Sequence, residues 1–405
     1  MPKRLKKALF YSPFLCFLSF FLICTSCAKS KKPVNAFCDD TSFRGDTTLF
    51  YADTTTDNKA NDAKNYAKNL QSLFDLRYKN TNFNGAALIA VKGKIVYENY
   101  FGIANRATND TITAHSAFHI ASVSKTFTAL AVLWLHEHKK MNINDLVIKY
   151  LPNFPYPDLT IAMLLKHRSG LSNYSYFAEK AYQDTTVLLT NTGVLHELIR
   201  QKIPLQVAPD THFQYCNTNF AVLALVIEAV TKMPYSEFIS CRFFEPLGMK
   251  HSFVYEPAKE PTLPKEATRS YIGTRENPLE FDDGVVGDKN IYSTVQDLYR
   301  WDRALKTRVI VSDSMLQLAY TAYSNERAGF KNYGLGWRLL VYPNAQKIVY
   351  HNGWWHGNTA SLYRFLDADF TCIVLANRYN RTVYQMQPIY DILIGQPSNM
   401  GFEEE

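Results

Sequence analysis

Gly85-Ala86-Ala87-Leu88-Ile89-Ala90-Val91-Lys92-Gly93-Lys94-Ile95-Val96-Tyr97-Glu98-Asn99-Tyr100 reads as strand, turn, strand. The apolar run after Gly85 stops at Lys92-Gly93-Lys94, and the β-branched and aromatic residues that follow predict a β-hairpin. Upstream, Leu70, Leu73, Phe74 and Arg77 fall at helical intervals between Tyr66 and Tyr78. Downstream, Thr126 to Leu135 is apolar almost all round, which predicts a buried helix. From Asn142 to about Pro261 the pattern is helices with proline-rich connections, including Asn219–Val230 and Tyr235–Phe244. Strand patterns return at Gly336–Tyr342, Lys347–His351, Ala360–Phe365 and Phe370–Ala376, before a last helical run from Tyr384 to Ile394. That order predicts an α+β fold whose sheet is assembled from both ends of the chain. No internal repeat is present.

The 405 residues are 47% apolar, with 17 Gly and 17 Pro, which excludes a disordered, collagen-like or small disulfide-scaffold chain. A chain of this length buries roughly three-quarters of its unfolded surface, enough for stability without crosslinks. The formal charge is +7, but Lys3, Arg4, Lys6 and Lys7 supply four of those charges, leaving +3 for the rest. Nucleic-acid binding would want a concentrated basic face, so it is not expected.

Those basic residues precede an apolar run from Ala8 to Ile23 and then Cys24-Thr25-Ser26-Cys27. The run is short for a bilayer span of about 20 residues and suits an export signal. Thr25-Ser26-Cys27 resembles a bacterial lipoprotein cleavage box, with Cys24 where leucine is usual. The expectation is a signal over residues 1–26, a lipid on Cys27, a polar tether over 27–64, and a domain held to a membrane outside the cytoplasm. An uncleaved anchor or ordinary signal peptide is the alternative. Cys38, Cys216, Cys241 and Cys372 then remain, scattered singly, with no zinc spacing. They are expected to be buried and inert.

Three elements could carry chemistry. In His119-Ile120-Ala121-Ser122-Val123-Ser124-Lys125, positions three apart share a helix face, so the Lys125 amine reaches the Ser122 hydroxyl. A serine hydroxyl is a weak nucleophile until a base takes its proton, and the unpaired N–H groups of a helix start favour developing negative charge. The spacing alone is common: Ser26-Cys27-Ala28-Lys29 shares it. What sets Ser122 apart is that it opens a long apolar helix. The second element, Tyr215-Cys216-Asn217, precedes another apolar run; a tyrosine acts as a base where cations lie near, and Lys125 is a candidate. The third, His351-Asn352-Gly353, ends a strand, where glycine lets a substrate lie against the edge and His351 offers a donor or charge.

In this order the three elements resemble the serine β-lactamase-like family, which includes class C β-lactamases, penicillin-binding DD-peptidases and related esterases. Supporting phrases are Leu164-Leu165-Lys166-His167-Arg168-Ser169-Gly170-Leu171, Pro246-Leu247-Gly248-Met249, Ile291-Tyr292-Ser293-Thr294-Val295-Gln296-Asp297-Leu298 and Val374-Leu375-Ala376-Asn377. The resemblance implies an antiparallel sheet flanked by helices over residues 65–395, with an inserted mostly helical lobe over about 142–290; residues 396–405 beyond it are expected to be a polar tail. It further implies that Ser122 attacks a carbonyl, that Lys125 and Tyr215 manage its proton, and that Asn217, His351 and Gly353 line the substrate. The backbone N–H groups of Ser122 and Trp354 would hold the oxyanion, and water would release the acyl group.

His351 and Asn352 stand where β-lactamases and DD-peptidases usually carry lysine and a hydroxyl residue, and Trp354-Trp355 follow where small residues are common. The expected function is therefore hydrolysis of an ester or amide, small-molecule or peptide-like, through an acyl-enzyme. DD-carboxypeptidase or weak β-lactamase activity is the nearest alternative. A lipoprotein that binds cell-wall peptides or antibiotics without turnover is the other. No cofactor or metal is expected. Lys140 stands where a His-Glu-x-x-His helix starting at His136 needs histidine, and Asp282-Asp283-Gly284 lacks the further ligands of a calcium loop.

Overall fold

The computed structural model describes residues 37–38, 60–181 and 187–402. The expected leader, Cys27, most of the tether and the end of the polar tail lie outside the described residues.

Helix α1 (Ala60–Thr81) leads into β1 (Gly85–Val91) and β2 (Lys94–Phe101). Lys92 and Gly93 make the two-residue turn, both with positive φ, as a tight hairpin with right-handed strand twist requires. Helix α2 (Ser124–Glu137) follows, then the helical lobe with α3 (Asn217–Thr231), and then α4 (Val295–Lys306). The chain returns through β3 (Lys331–Tyr333), β4 (Arg338–Val341), β5 (Lys347–Trp355), β6 (Asn358–Phe365) and β7 (Phe370–Ala376) to α5 (Gln387–Ile394). All seven strands form one antiparallel sheet in the order β3-β4-β5-β6-β7-β1-β2. The two ends of the chain meet where β1 pairs with β7, Gly85 opposite Ala376. This is the expected α+β architecture.

The sheet is covered on both faces, which explains why β1 reads as a continuous apolar run instead of an alternating one. Ala86, Leu88 and Ala90 join a core shared with α2, α3 and α4, whereas Ala87 and Ile89 face Leu70, Phe74, Ile389 and Leu393 of α1 and α5. Buried Leu and Phe side chains each contribute about 1.5–3 kcal/mol. A three-stranded patch of Phe118–His119, Ile291–Ser293 and Phe253–Val254 fastens the segment before Ser122 to the lobe.

The cysteine expectation needs one correction. Cys216 and Cys372 are free and buried as expected, but Cys38 and Cys241 are bonded across 203 residues, with Cα atoms 5.3 Å apart. Phe37 packs edge-on against Phe238, ring centroids 6.3 Å apart. The polar composition around Cys38 hides a local apolar anchor. Closing so long a loop typically adds about 2–4 kcal/mol.

Candidate active site

Ser122 sits in the tight turn Ala121–Val123 that runs into α2. Ala121 is held in the left-handed region, φ 48°, an uncommon conformation for a residue with a side chain. Its N–H donates to His119 Nδ1 at 3.1 Å, which makes His119 Nε2 the donor to Asn290 Oδ1 at 3.0 Å. Burial pushes the His119 pKa down to about 4, against the Asn290 bond, so the imidazole stays neutral and keeps that tautomer. His119 therefore positions the turn that presents Ser122.

One helical turn on, Lys125 is fully buried. Its Nζ donates to Ser122 Oγ at 3.0 Å, Asn217 Oδ1 at 2.9 Å and the Asp288 carbonyl at 2.8 Å. All three hydrogens of an ammonium find an oxygen. The first two elements read from the sequence thus meet at one nitrogen.

Tyr215 arrives on extended chain ahead of α3, whose cap residue Cys216 has φ −147° and ψ 119°. His167 fixes this entry: its Nδ1 accepts from the Cys216 N–H at 3.2 Å and from Asn219 Nδ2 at 3.0 Å, and its carbonyl accepts from the Gln214 N–H at 2.8 Å. Ser169 donates to Asn219 Oδ1 at 2.6 Å. The phrase Leu164–Leu171 is thereby the buttress of Tyr-x-Asn. The Tyr215 ring packs on His167, centroids 4.3 Å apart, with Lys125 Nζ at 5.1 Å and the Arg338 guanidinium at 5.2 Å from its centroid. Among the described residues none is hydrogen-bonded to the Tyr215 hydroxyl, unlike those of Tyr174, Tyr235 and Tyr384.

Strand β5 runs straight through the third element. Its pairing with β4 ends at Tyr350, opposite Arg338, so residues 351–355 keep β6 on one side and have no β4 partner on the other. Gly353 meets the Ser122 turn: a Cβ there would lie 2.4 Å from the Ile120 carbonyl oxygen and 3.0 Å from both Ala121 Cβ and Ser122 N. Only glycine fits. Gly353→Ala is expected to displace the Ser122 turn and lower kcat by about 10²-fold, with the fold kept; steady-state kinetics beside a thermal melt checks this.

Ser122, Tyr215, Asn217, Gly353 and Trp354 line one pocket of about 660 Å³, a common size for a small-molecule site. His351 is not brought to that surface. It is fully buried, Nδ1 against the Asn352 carbonyl at 2.7 Å and Nε2 against the Tyr333 hydroxyl at 3.2 Å. Burial, with Arg338 and Lys125 nearby, pushes its pKa well down. This corrects the expected donor or charge beside the nucleophile: the side chain leaves the strand toward the core under Tyr215, not toward the open edge, and both nitrogens are occupied.

The sequence reading missed the far wall. Asp288 and Lys289 are buried, joined through Tyr174: Tyr174 donates to Asp288 Oδ2 at 2.7 Å and Lys289 to Tyr174 at 2.6 Å. Four consecutive polar or glycine residues, Gly287-Asp288-Lys289-Asn290, directly before a buried strand are the signal that could have exposed it. Asp283, read as a fragment of a failed calcium loop, accepts from Trp355 Nε1 at 2.6 Å and pairs with His356 Nε2 at 3.0 Å.

Burial opposes charge on His356, but the bonds to Asp283 and the nearby acids outweigh it and raise its pKa above 6.5. Burial likewise opposes the Asp283 carboxylate, but His356 outweighs it and holds the pKa below 3.8. The His356 contribution to stability is thus complete below 6.5 and is lost as pH rises through its raised pKa. That of Asp283 is complete above 3.8 and is lost as pH falls through its lowered pKa. His356→Gln is expected to cost about 1.5–3 kcal/mol near pH ~5 and progressively less above pH ~7. Urea midpoints across pH measure it, and a constant penalty would count against an ion pair.

A serine bonded to a buried lysine across one helical turn, facing an open strand edge in this sheet, defines the class: the fold is that of the β-lactamases and transpeptidases. The model of the Beta-lactamase family matches residues 70–395, and the chain belongs to that family; it is a serine hydrolase. It is 31% identical over 352 residues to Penicillin-binding protein 4* of Bacillus subtilis, spanning 82% of this chain and 77% of the relative. It is 26% identical over 319 residues to the D-aminopeptidase of Brucella anthropi, spanning 78% of this chain and 60% of that enzyme. The crystal structure of a penicillin binding protein from Bacillus halodurans superposes with a TM-score of 0.69 at 24% identity, covering 79% of this chain and 97% of the other.

Proposed function

We propose that the protein hydrolyses an ester or amide through an acyl-enzyme on Ser122. The observation that carries this reading is the Lys125 ammonium, buried and bonded to Ser122 Oγ at 3.0 Å with its other hydrogens on Asn217 and Asp288. With its Nζ hydrogen-bonded to three oxygens, Lys125 holds the serine oxygen in place. The proton passes to the oxygen of Tyr215, which enters the step as the phenolate beside the Lys125 and Arg338 cations and leaves it as the phenol; this pocket oxygen has no other bond among the described residues. Ser122 Oγ bonds to the substrate carbonyl carbon, the carbonyl oxygen takes the negative charge beside the backbone N–H groups of Ser122 and Trp354, and Tyr215 returns the proton to the departing oxygen or nitrogen. Water then repeats the sequence in reverse and frees the acid. Incubation with a fluorophosphonate or labelled penicillin, followed by mass mapping, tests the reading: an adduct on Ser122 is expected, and its absence would sink the assignment.

A second reading, DD-carboxypeptidase activity, is favoured by Arg338. It lines the pocket beside Tyr215 and supplies the cation that the His351-Asn352-Gly353 strand lacks for a substrate carboxylate. Turnover of D-Ala-D-Ala peptides above nitrophenyl esters and a chromogenic cephalosporin would select it.

We further propose an exported lipoprotein held by Cys27. The Cys38–Cys241 disulfide supports an oxidising compartment, and among the described residues no helix is long and apolar enough to cross a membrane. Metabolic labelling with a clickable fatty acid, lost in Cys27→Ser, tests it.

A further inference from the structure

The two adjacent tryptophans have opposite fates. Trp355 is spent on the protein: its Nε1 donates to Asp283, and Lys289 Nζ lies 4.5 Å from its ring centroid. Trp354 points outward and is 64% exposed, informative only as part of a contiguous apolar group. Its Nε1 is bonded to the His356 carbonyl at 2.9 Å, which fixes the indole and leaves the ring as its free surface. Tyr379, 45% exposed, meets that ring edge-on with centroids 5.6 Å apart. Ile272, 65% exposed, completes the group, and all three line the pocket that holds Ser122.

We propose that Trp354, Tyr379 and Ile272 form a shelf for the acyl side of the substrate and select an aryl or arylalkyl group there. This rests on the acyl-enzyme reading, because the side is assigned by the proton route. Tyr215 must face the leaving atom to protonate it. It sits by Arg338, which pairs with Tyr350 on β5. Trp354 is four residues further along that strand, roughly 13 Å away at ~3.3 Å per residue. The leaving group therefore lies toward Tyr215 and Arg338, and the acyl substituent toward the aromatic shelf. An aliphatic Ile272 lining the same pocket as two rings, with the indole N–H already bonded, offers apolar contact and few donors, which fits an aryl group better than a sugar.

The test compares p-nitrophenyl phenylacetate with p-nitrophenyl acetate. The wild-type protein is expected to prefer phenylacetate by roughly tenfold or more in kcat/KM. The preference should collapse toward parity in both Trp354→Ala and Tyr379→Ala. A ratio retained in both variants, whether or not both rates fall, overturns the shelf. Labelling of Ser122 by a small fluorophosphonate reports separately on the hydrolase reading. Titration of the Ser122→Ala protein with phenylacetamide, followed by tryptophan fluorescence, reads the shelf without turnover. Quenching that is lost in Ser122→Ala/Trp354→Ala supports it; no quenching, or quenching by chitobiose alone, overturns it.

Discussion

Replacing Ser122 by alanine is expected to abolish hydrolysis, by about 10⁵-fold or more, while leaving the protein folded. The change removes one oxygen from a partly exposed turn. Lys125 loses one of three acceptors and keeps Asn217 and the Asp288 carbonyl, so its buried charge stays anchored and the cost is that of one hydrogen bond to a cation, about 1.5–3 kcal/mol at most. The neighbouring hydroxyls on the same turn and helix are already engaged. The hydroxyl of Thr126 donates to the Val123 carbonyl at 2.8 Å, and Ser124 is buried with its Oγ accepting from the Ile291 N–H at 3.2 Å. The measurement is steady-state turnover on whichever ester or amide the wild-type protein accepts, beside a thermal melt. Residual turnover above about 1% with a wild-type melt would mean that the acyl group is carried elsewhere.

That Ser122 and Lys125 could be paired from the sequence follows from their spacing: one helical turn brings them together whatever the rest of the chain does. The hairpin was legible for the same reason, since Lys92-Gly93 closes on itself. Elements whose geometry depends on distant partners were not. His167 looked like one letter of a supporting phrase, yet its Nδ1 accepts from two groups about 50 residues away, with separations of 49 and 52. Cys38 and Cys241 lie 203 residues apart, and only the tertiary fold brings their Cα atoms to 5.3 Å. The His351 case is subtler. Its place in a strand was read correctly, but the strand continues to Trp355, so His351 lies in its middle and not at its end. A linear sequence gives the alternation of faces but not which neighbour stops pairing. It therefore could not show that the open edge, not the His351 side chain, is what β5 offers to the pocket.

Tyr215→Phe is expected to lower kcat/KM by about 10²–10⁴, the range for losing a general base, with stability unchanged. The stability half of this expectation separates the proposal from an ordinary buried tyrosine. Where a tyrosine hydroxyl serves the fold it is bonded, as Tyr235 is to Thr128 at 2.6 Å and Tyr384 to the Gly353 carbonyl at 2.9 Å. Removing such a group leaves a buried partner unsatisfied, at about 1–3 kcal/mol. The Tyr215 hydroxyl has no such partner among the described residues, while its ring keeps every contact in the phenylalanine variant: His167, Lys125 and Arg338 all meet the ring itself. The kinetic half rests on where the serine proton can go. Lys125 is committed to three oxygens, and neutral His351 is sealed behind the strand with both nitrogens engaged. With the phenol oxygen gone, water must take the proton, so acylation slows for poor and good leaving groups alike. It slows most for amides, whose nitrogen must be protonated to depart. A loss that is larger for an amide than for the matching p-nitrophenyl ester, with an unshifted melt, is the expected pattern. A destabilised protein with normal turnover per folded molecule would return Tyr215 to the core.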